Sequence, residues 1–530
     1  MRRRWFPIAL VFGLLVCAAP ARAEQVLQVP EGADLQAALD RARPGDTVLL
    51  MPGAKYVGNF ILPKKDGTQP ITVRTADAPG QPAAGFRVLP SHAAALAKVQ
   101  SPDSQPALRT APGAHDWRLQ LLEFLPTRDG AGDIITLGDG GSAQRDLASV
   151  PVRLVIDRCY IHGDPQKGQK RGIALNSGDT RIVGSYIAEI KVRGQDAQAI
   201  AGWNGPGPFT IENNYLEASG ENFMLGGADP SIDGLIPSDI VFTRNHLSKP
   251  LAWRGQEWTV KNLLELKNAR RVLIEGNLIE NVWSHAQTGY AVLFTPRNQD
   301  GHSPWATVED VTFRHNIVRN AGGGMQIIGA DNEHPSGPAR RILIANNLFY
   351  GIDSRIWEGS GAFVLIGDGP IDVTIEHNTV QQSGTILLAY GGTKEQPKAI
   401  PGMKFRNNIV RHNEYGVFGS DRAVGEDTLR SYFPGAVFQS NAIAGGNAAS
   451  YPSGNIFLRD GEFDGQFVNP ASGDFRLRPG SRLRGAATDK KDLGADIAAL
   501  AAALGVRPGP RVQGGLSAAS TAGTRSLNQR

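Results

Sequence analysis

The chain of 530 residues contains only two cysteines, Cys17 and Cys159. Cys17 falls within a predicted leader peptide, so the mature chain must be stable without an intramolecular disulfide. No run of about 18 or more apolar residues follows that leader, and the sequence therefore predicts no transmembrane segment. Charged residues make up only 20% of the chain, whereas there are 63 glycines and 34 prolines. This composition favours many short strands joined by turns around a long apolar core.

Residues 1–23 have the organisation of a signal peptide. Three arginines at 2–4 precede an apolar run from Ile8 to Val16, and the small-residue sequence Ala21-Arg22-Ala23 follows. We therefore predict cleavage after Ala23 and a secreted or periplasmic protein. A lipid anchor on Cys17 is the less favoured alternative, because Val16 is bulkier than the residue that usually precedes such a site.

The net charge of the chain does not indicate an acidic partner. The chain has 55 basic and 51 acidic side chains, and its leader contains four arginines and no acidic residue. The mature chain is therefore close to neutral, which gives no support for a nucleic-acid partner or for general attraction to an acidic polymer. Only charge concentrated in a groove could bind such a polymer.

A short pattern of strand-like residues around an asparagine recurs along the chain, as in VLIEGNLIEN at 272–281. The repeats are 30 to 39 residues apart and most often 31. A tight bend between strands favours a residue that tolerates left-handed backbone and hydrogen-bonds to a neighbouring coil, so we assign these asparagines to structure. They are Asn214, Asn245, Asn277, Asn316, Asn347, Asn378, Asn408 and Asn441.

Another strand recurs between these segments, for example NLLELKN at 262–268, so each coil has three strands. The predicted fold is an all-β, right-handed parallel β-helix with coils of about 31 residues. Asp34 is the predicted N-cap of a capping helix over Leu35–Ala42. The predicted organisation is a signal peptide at 1–23, an N-terminal cap and first strands at 24–80, the β-helix at 81–470, a C-terminal cap at 471–506 and a disordered tail at 507–530.

Over residues 25–500 the coil length, the asparagine ladder and the N-terminal helix resemble the pectate-lyase-like superfamily of parallel β-helix proteins. In that superfamily the ladder lies between the second and third strands of each coil. The resemblance implies that NLLELKN forms a first strand and that substrates lie across the outer face of the first strands.

Long connections at 246–261, 278–288 and 297–309 surround this candidate groove. They carry five predicted substrate-binding residues, because indole rings are suitable platforms for sugars. The alternative is that the tryptophans hold the long loops onto the coils. The five residues are Trp253, Trp258, Trp283, His285 and Trp305.

Lys267 alternates with Leu264 and Leu266, so Lys267 and Glu265 are expected to point into the groove. The segment ELKNARRVLIEGN resembles the lysine-bearing strand of the chondroitinase B and alginate lyase family. That resemblance implies that Lys267 is the catalytic base and that Arg297 protonates the leaving oxygen or holds a uronate carboxylate. The alternative is a surface Lys267–Glu265 pair without a catalytic role.

The same family uses calcium held by acidic groups, so the resemblance makes Glu265 a predicted metal ligand. Asp229 and Asp233, in the loop GGADPSIDG, are further predicted oxygen ligands for a hard cation such as Ca²⁺; the alternative is a pair of loop carboxylates without a metal. The family's pair of acidic ligands ahead of the lysine is missing here. Two other polar clusters, His162 with Asp164 and the segment Asp331–His334, are interpreted as turn residues.

The predicted function is β-elimination of a uronic-acid-containing polysaccharide by a monomeric lyase. Paired aspartates typical of polygalacturonases are absent, which disfavours glycoside hydrolysis of that kind. The alternative from a different class is a non-catalytic glycan-binding or envelope protein with the same fold.

Overall fold

The computed structural model of the chain describes residues 23–505. Its backbone winds through three long parallel sheets, which confirms the predicted parallel β-helix. The predicted leader, except for Ala23, and the predicted tail at 507–530 lie outside the described residues. No helix within residues 23–505 is long and apolar enough to cross a membrane.

The first sheet has twelve strands and contains the predicted first strand Leu264–Leu266. Equivalent residues of successive coils stack on one another, and Glu265 pairs with Met224 of the coil before and Leu293 of the coil after. The strands are Phe60–Leu62, Leu108–Thr110, Asp133–Leu137, Arg171–Leu175, Gln198–Gly202, Glu221–Leu225, Leu264–Leu266, Tyr290–Phe294, Gly323–Ile328, Val364–Gly367, Leu387–Tyr390 and Val417–Gly419.

The second sheet has fourteen strands and follows the first sheet after a short bend in most coils. Its strands alternate buried and more exposed residues, because one face fills the core and the other is at the surface. The strands are Val26–Val29, Thr47–Leu50, Ile71–Thr75, His115–Gln120, Val152–Asp157, Gly178–Val183, Phe209–Glu212, Ser238–Thr243, Ala269–Glu275, Val308–Arg314, Arg340–Ala345, Ile371–Glu376, Lys404–Arg406 and Val437–Gln439.

The third sheet also has fourteen strands and leads back to the first sheet through the long connections. Its strands are Lys55–Val57, Ala97–Gln100, Leu122–Phe124, Tyr160–His162, Tyr186–Ile190, Tyr215–Ala218, His246–Ser248, Leu278–Val282, Ile317–Ala321, Leu348–Ile352, Thr379–Gln382, Ile409–Arg411, Ala442–Ala444 and Ile456–Leu458.

The asparagines form a continuous hydrogen-bonded row between the second and third sheets. Asn316 donates from Nδ2 to Ile274 O at 3.0 Å and to Asn347 Oδ1 at 3.1 Å. Its Oδ1 accepts from Asn277 N at 3.0 Å and Asn277 Nδ2 at 2.9 Å. The row extends one step beyond the predicted asparagines, since Asn441 Nδ2 donates to the Oδ1 of Asn455 at 3.0 Å.

The backbone conformation at these bends corrects one expectation. The left-handed residue is the one that precedes each ladder asparagine, for example His315 at φ 53° and Asn346 at φ 54°. The ladder asparagines themselves do not have positive φ. Their buried side chains instead form hydrogen bonds with the coils above and below.

Short helices lie at both ends of the solenoid. Asp34 accepts a hydrogen bond from Ala37 N at 3.0 Å and caps the first helix, whose buried Leu35 and Leu39 join the main core. The α-helices are Leu35–Arg41, Ser354–Trp357, Glu426–Tyr432 and Ile497–Ala503, and the 3₁₀ helices are Pro90–Ala95, Leu251–Trp253, Ala448–Ser450, Asp460–Glu462, Asp464–Gln466 and Pro470–Ser472.

The last described segment runs back along the side of the coils. After an antiparallel pair formed by Phe467–Asn469 and Asp474–Leu477, Gly494 N donates to Asn407 O at 2.9 Å. Gly276, in the bend before Asn277, contacts the final helix so closely that an added Cβ would lie 2.4 Å from Ala503 O. The final helix therefore covers the asparagine bends, a course that the sequence did not indicate.

Candidate functional site

The outer face of the first sheet forms the floor of a groove. Leu264 and Leu266 are fully buried in the core, whereas Glu265 and Lys267 line a cavity of about 350 Å³, as their alternation predicts. Lys267 Nζ lies 3.3 Å from Glu265 Oε1, and the lysine side chain keeps 21% of its surface exposed. Lys267 is therefore accessible from the cavity.

Arg297 lines the same cavity because its coil is the next in the stack. Its backbone N donates to Lys267 O at 2.9 Å, and its Nη1 donates to Asp331 Oδ1 at 2.9 Å. The Asp331 side chain is completely buried and also accepts hydrogen bonds from Asn298 N at 2.7 Å and Glu333 N at 2.9 Å. Asp331, which the sequence indicated only as a turn residue, therefore fixes the position of the Arg297 guanidinium.

The predicted calcium ligands already have other partners. Glu265 accepts from Asn262 Nδ2 at 2.8 Å and Thr295 Oγ1 at 3.2 Å, in addition to its contact with Lys267. Nearby Glu221 lies 3.7 Å from Lys261 Nζ, and burial together with the Glu265 carboxylate raises the pKa of Glu221 to about 7. A carboxyl group with this pKa is a weak cation ligand near neutral pH.

Asp229 holds a loop and is not directed at a cation. Its carboxylate accepts from Asp300 N at 3.0 Å, His302 N at 2.8 Å and Ser303 Oγ at 2.7 Å. Burial would raise the pKa of Asp229, but the hydrogen bonds from Ser303 and the loop amides keep it below its usual value. The carboxylate thereby joins the loop after the strand Glu221–Leu225 to the loop 297–309.

Asp233 is exposed, and no group of three or more His, Cys, Asp or Glu side chains in residues 23–505 is arranged to hold a metal ion. The amide Oδ1 of buried Asn262 lacks a hydrogen bond within the described chain, but it offers a single neutral oxygen. The side chains at Glu265, Asp229 and Asp233 therefore do not fit a calcium site, and calcium remains a prediction that the donor set disfavours.

Three of the predicted sugar platforms are buried. Trp253, Trp258 and Trp283 are only 3–4% exposed and pack together with Val260 and Trp357. Their position corrects the prediction of substrate-stacking surfaces and agrees with the alternative, since the long loops bury their own indoles to dock on the coils.

The ammonium of buried Lys191 extends the tryptophan cluster. Its Nζ lies 4.9 Å from the ring centre of Trp253 and 4.8 Å from that of Trp258. Such cation–π contacts add to the apolar packing of the cluster. The cluster holds the long connections 246–261 and 278–288 together.

The other two predicted binding residues anchor loops as well. Exposed His285 accepts a hydrogen bond at Nδ1 from Val260 N at 3.3 Å. Half-buried Trp305 donates from Nε1 to Leu235 O at 3.1 Å. Neither residue lines the cavity beside Lys267.

The structure adds groove residues that the sequence did not single out. Tyr290 and Gln326 line the cavity with Lys267, and Tyr290 Oη shares a hydrogen bond of 2.7 Å with Ser360 Oγ. A second cavity of about 320 Å³ lies on the same sheet face and is lined by Arg171 and Trp203. Tyr290, Arg171 and Trp203 lie at strand starts or just beyond strand ends, as Lys267 does, and this was the available signal; Gln326 lies within its strand.

Comparison with solved structures places the fold. The structure matches the PL6 family alginate lyase AlyGC with a TM-score of 0.52 and 15% identity, over 89% of this chain and 58% of that chain. It matches a mannuronic acid specific polysaccharide family 6 lyase from human gut microbiota with a TM-score of 0.51 and 14% identity, over 82% of this chain and 92% of that one. The fold is the parallel β-helix of these lyases.

This chain spans little more than half the length of AlyGC, and at 14–15% identity the likeness establishes the fold alone. No family model and no curated protein matches the sequence. Any chemistry of this chain must therefore be inferred from the side chains in the groove.

Proposed function

We propose that this protein is an exported, monomeric polysaccharide lyase that cleaves a uronic-acid-containing polysaccharide by β-elimination. One observation carries the proposal: Lys267 and Arg297, from consecutive coils, line one open cavity on the outer face of the first sheet. The shared fold with PL6 alginate lyases supports it and makes alginate the first polymer to test.

β-Elimination requires a base for the C5 proton and positive charge beside the uronate carboxylate. Lys267 Nζ takes the C5 proton, the C4–O bond breaks and a C4=C5 double bond forms. The leaving oxygen receives a proton from the Lys267 ammonium or from water in the open cavity. Arg297, held by Asp331, neutralises the carboxylate and so stabilises the carbanion-like transition state.

Lys267 can accept a proton only as a neutral amine. Glu265 Oε1, at 3.3 Å from Nζ, holds the lysine side chain in the cavity, and the ammonium gives up its proton to solvent before the reaction. The Asn262 and Thr295 hydrogen bonds keep Glu265 in this position. No step in this scheme uses a metal ion.

The test is the ultraviolet absorbance of the unsaturated uronate product with alginate, pectate, chondroitin, dermatan or glucuronan, each with Ca²⁺ or EDTA. We expect product from one polymer, little effect of EDTA, and a fall of about 10³-fold in the Lys267→Ala variant. The matched control is Lys404→Ala, which removes an exposed lysine on the second sheet.

The alternative is a glycan-binding protein without catalysis. It needs an exposed aromatic platform, and the burial of Trp253, Trp258 and Trp283 removes the platform that the sequence suggested. Binding of one polymer without product formation, unchanged by Lys267→Ala, would favour this alternative and refute the lyase.

A further inference from the structure

A second cavity lies on the same outer face, on the N-terminal side of Lys267. Its volume is about 320 Å³, and its lining includes Lys170, Arg171, Trp203 and Met224. The strands beneath it are the three that precede Leu264–Leu266 in the first sheet. This cavity took no part in the proposed chemistry.

The two cavities are adjacent along the sheet. Met224, in the lining of the second cavity, pairs directly with Glu265, in the lining of the first. Gly226 and Gly227 line the second cavity at φ +89°, and an added Cβ would be 2.9 Å from Lys267 Cβ at Gly226 and 3.5 Å from Lys267 Cδ at Gly227. The stem of Lys267 therefore packs on two glycines, and no side chain from them separates the cavities.

The second cavity presents positive charge. Lys170 Nζ forms no ion pair or hydrogen bond with other residues in the described range 23–505. Arg171 is partly neutralised, because its Nη1 donates to Asp133 Oδ1 at 2.8 Å, and Asp196 in the lining is paired with Lys261 Nζ at 2.7 Å. The uncompensated charge is that of Lys170, which suits a carboxylate.

The aromatic wall is held rigidly. Trp203 Nε1 donates to Gly140 O at 2.8 Å, and the Arg171 guanidinium lies 5.1 Å from the ring centre. A Cβ at position 140 would lie 2.3 Å from an indole carbon of Trp203, so the ring can pack here because residue 140 is glycine. A fixed, half-buried indole beside a cation offers a sugar apolar contact and a charge partner together.

We infer that this cavity is a remote subsite for a carboxylate-bearing sugar unit of the same polysaccharide chain, with Lys170 as its charge partner and Trp203 as its wall. The inference rests on the proposed function for the identity of the polymer. Neighbouring strands are about 4.8 Å apart, so three strand steps cover roughly 14 Å. A pyranose unit in an extended chain advances by a comparable step, which places the subsite about three units from the cleaved bond.

The experiment measures binding of oligomannuronates and oligoguluronates of two to six units to the non-cleaving Lys267→Ala protein by isothermal titration. Adding Lys170→Gln should weaken the longest oligomers about fivefold and leave the dimers unchanged, because only long chains reach the subsite. Lys170→Glu should weaken them further. Lys167→Gln, three residues away on the exposed turn, is the matched control and should change neither.

The inference is wrong if Lys170→Gln affects all lengths equally or none. The failure of the lyase proposal is a separate result. If wild-type protein forms no product but binding depends on length and on Lys170, the subsite stands and only the lyase is refuted. If product forms and its length dependence ignores Lys170, the subsite alone is refuted.

Discussion

Two regions of this solenoid use polar side chains in opposite ways. At the bend between the second and third sheets, the asparagines are 0–1% exposed and pair with the coils above and below. On the outer face of the first sheet, Lys267 and Arg297 retain 21% and 26% of their side-chain surface and face a cavity. The first set satisfies the protein's own backbone, whereas the second keeps hydrogen-bonding capacity for another molecule.

Lys249 shows that residue type does not decide between these uses. It is fully buried, and its Nζ donates to Ala218 O, Ser219 O, Gly220 O and Asn222 Oδ1 at 2.6–3.1 Å. Burial lowers the pKa of Lys249 to about 7. Lys249 thus resembles a ladder residue, although it lies only one coil from Lys267.

The largest expected effect is on the groove side. Arg297→Ala should lower kcat/KM by about 10²–10³-fold, because the charge that stabilises the developing anion is lost. Arg297→Lys should cost about tenfold, because lysine keeps the charge but cannot reproduce the planar fork that binds Asp331. Steady-state kinetics on the cleaved polymer provides the measurement. Arg341→Ala breaks an ion pair with Asp310 on the second sheet and should leave kcat/KM unchanged.

Substitution of a ladder asparagine should lower the stability of the protein. Asn316→Ala leaves donors and acceptors of Asn277 and Asn347 without partners in a buried bend, and we expect a loss of about 3 kcal/mol in the free energy of unfolding. Chemical denaturation followed by circular dichroism measures it. Activity per folded molecule should remain within about twofold. A stability loss no larger than that of an exposed substitution would show that the ladder is dispensable.

The Lys249→Met variant tests whether Lys249 contributes to stability, as the ladder asparagines do, or to activity, as the groove residues do. The methionine fills much of the same volume but removes four hydrogen bonds, so we expect a loss of about 2 kcal/mol in stability. The exposed Lys404→Met is the control for the same change of residue type. An unchanged melting temperature together with reduced kcat would instead place Lys249 with the groove.

The smallest effect concerns pH. The pKa of Glu221 is about 7 in the folded chain and 4.5 as its ordinary value, so folding retains a proton between these pH values. Stability should therefore fall as pH rises through this window. Glu221→Gln removes the titration and should raise stability relative to wild type by about 1 kcal/mol more at pH 8 than at pH 6. Exposed Glu395→Gln should show no such difference.

Periodic features were predictable because each is local and repeated. The recurring asparagines indicated the coil length, and the alternation in NLLELKN indicated that Glu265 and Lys267 face outward. The burial of Trp253, Trp258 and Trp283 was not predictable, because it depends on how three loops from different coils and Trp357 meet. The partner of Arg297 was similarly hidden, since Asp331 lies 34 residues further along the chain.

The sequence by itself determined the solenoid, its three strands in each coil, and the outward direction of Lys267, because hydrophobic alternation and turn chemistry act over a few residues. The tertiary structure alone decided which polar groups remain available to a ligand. That outcome depends on loops of unequal length docking across neighbouring coils, which buried three indoles, engaged Asp229 and left Lys267, Arg297 and Lys170 lining adjacent cavities on one sheet face.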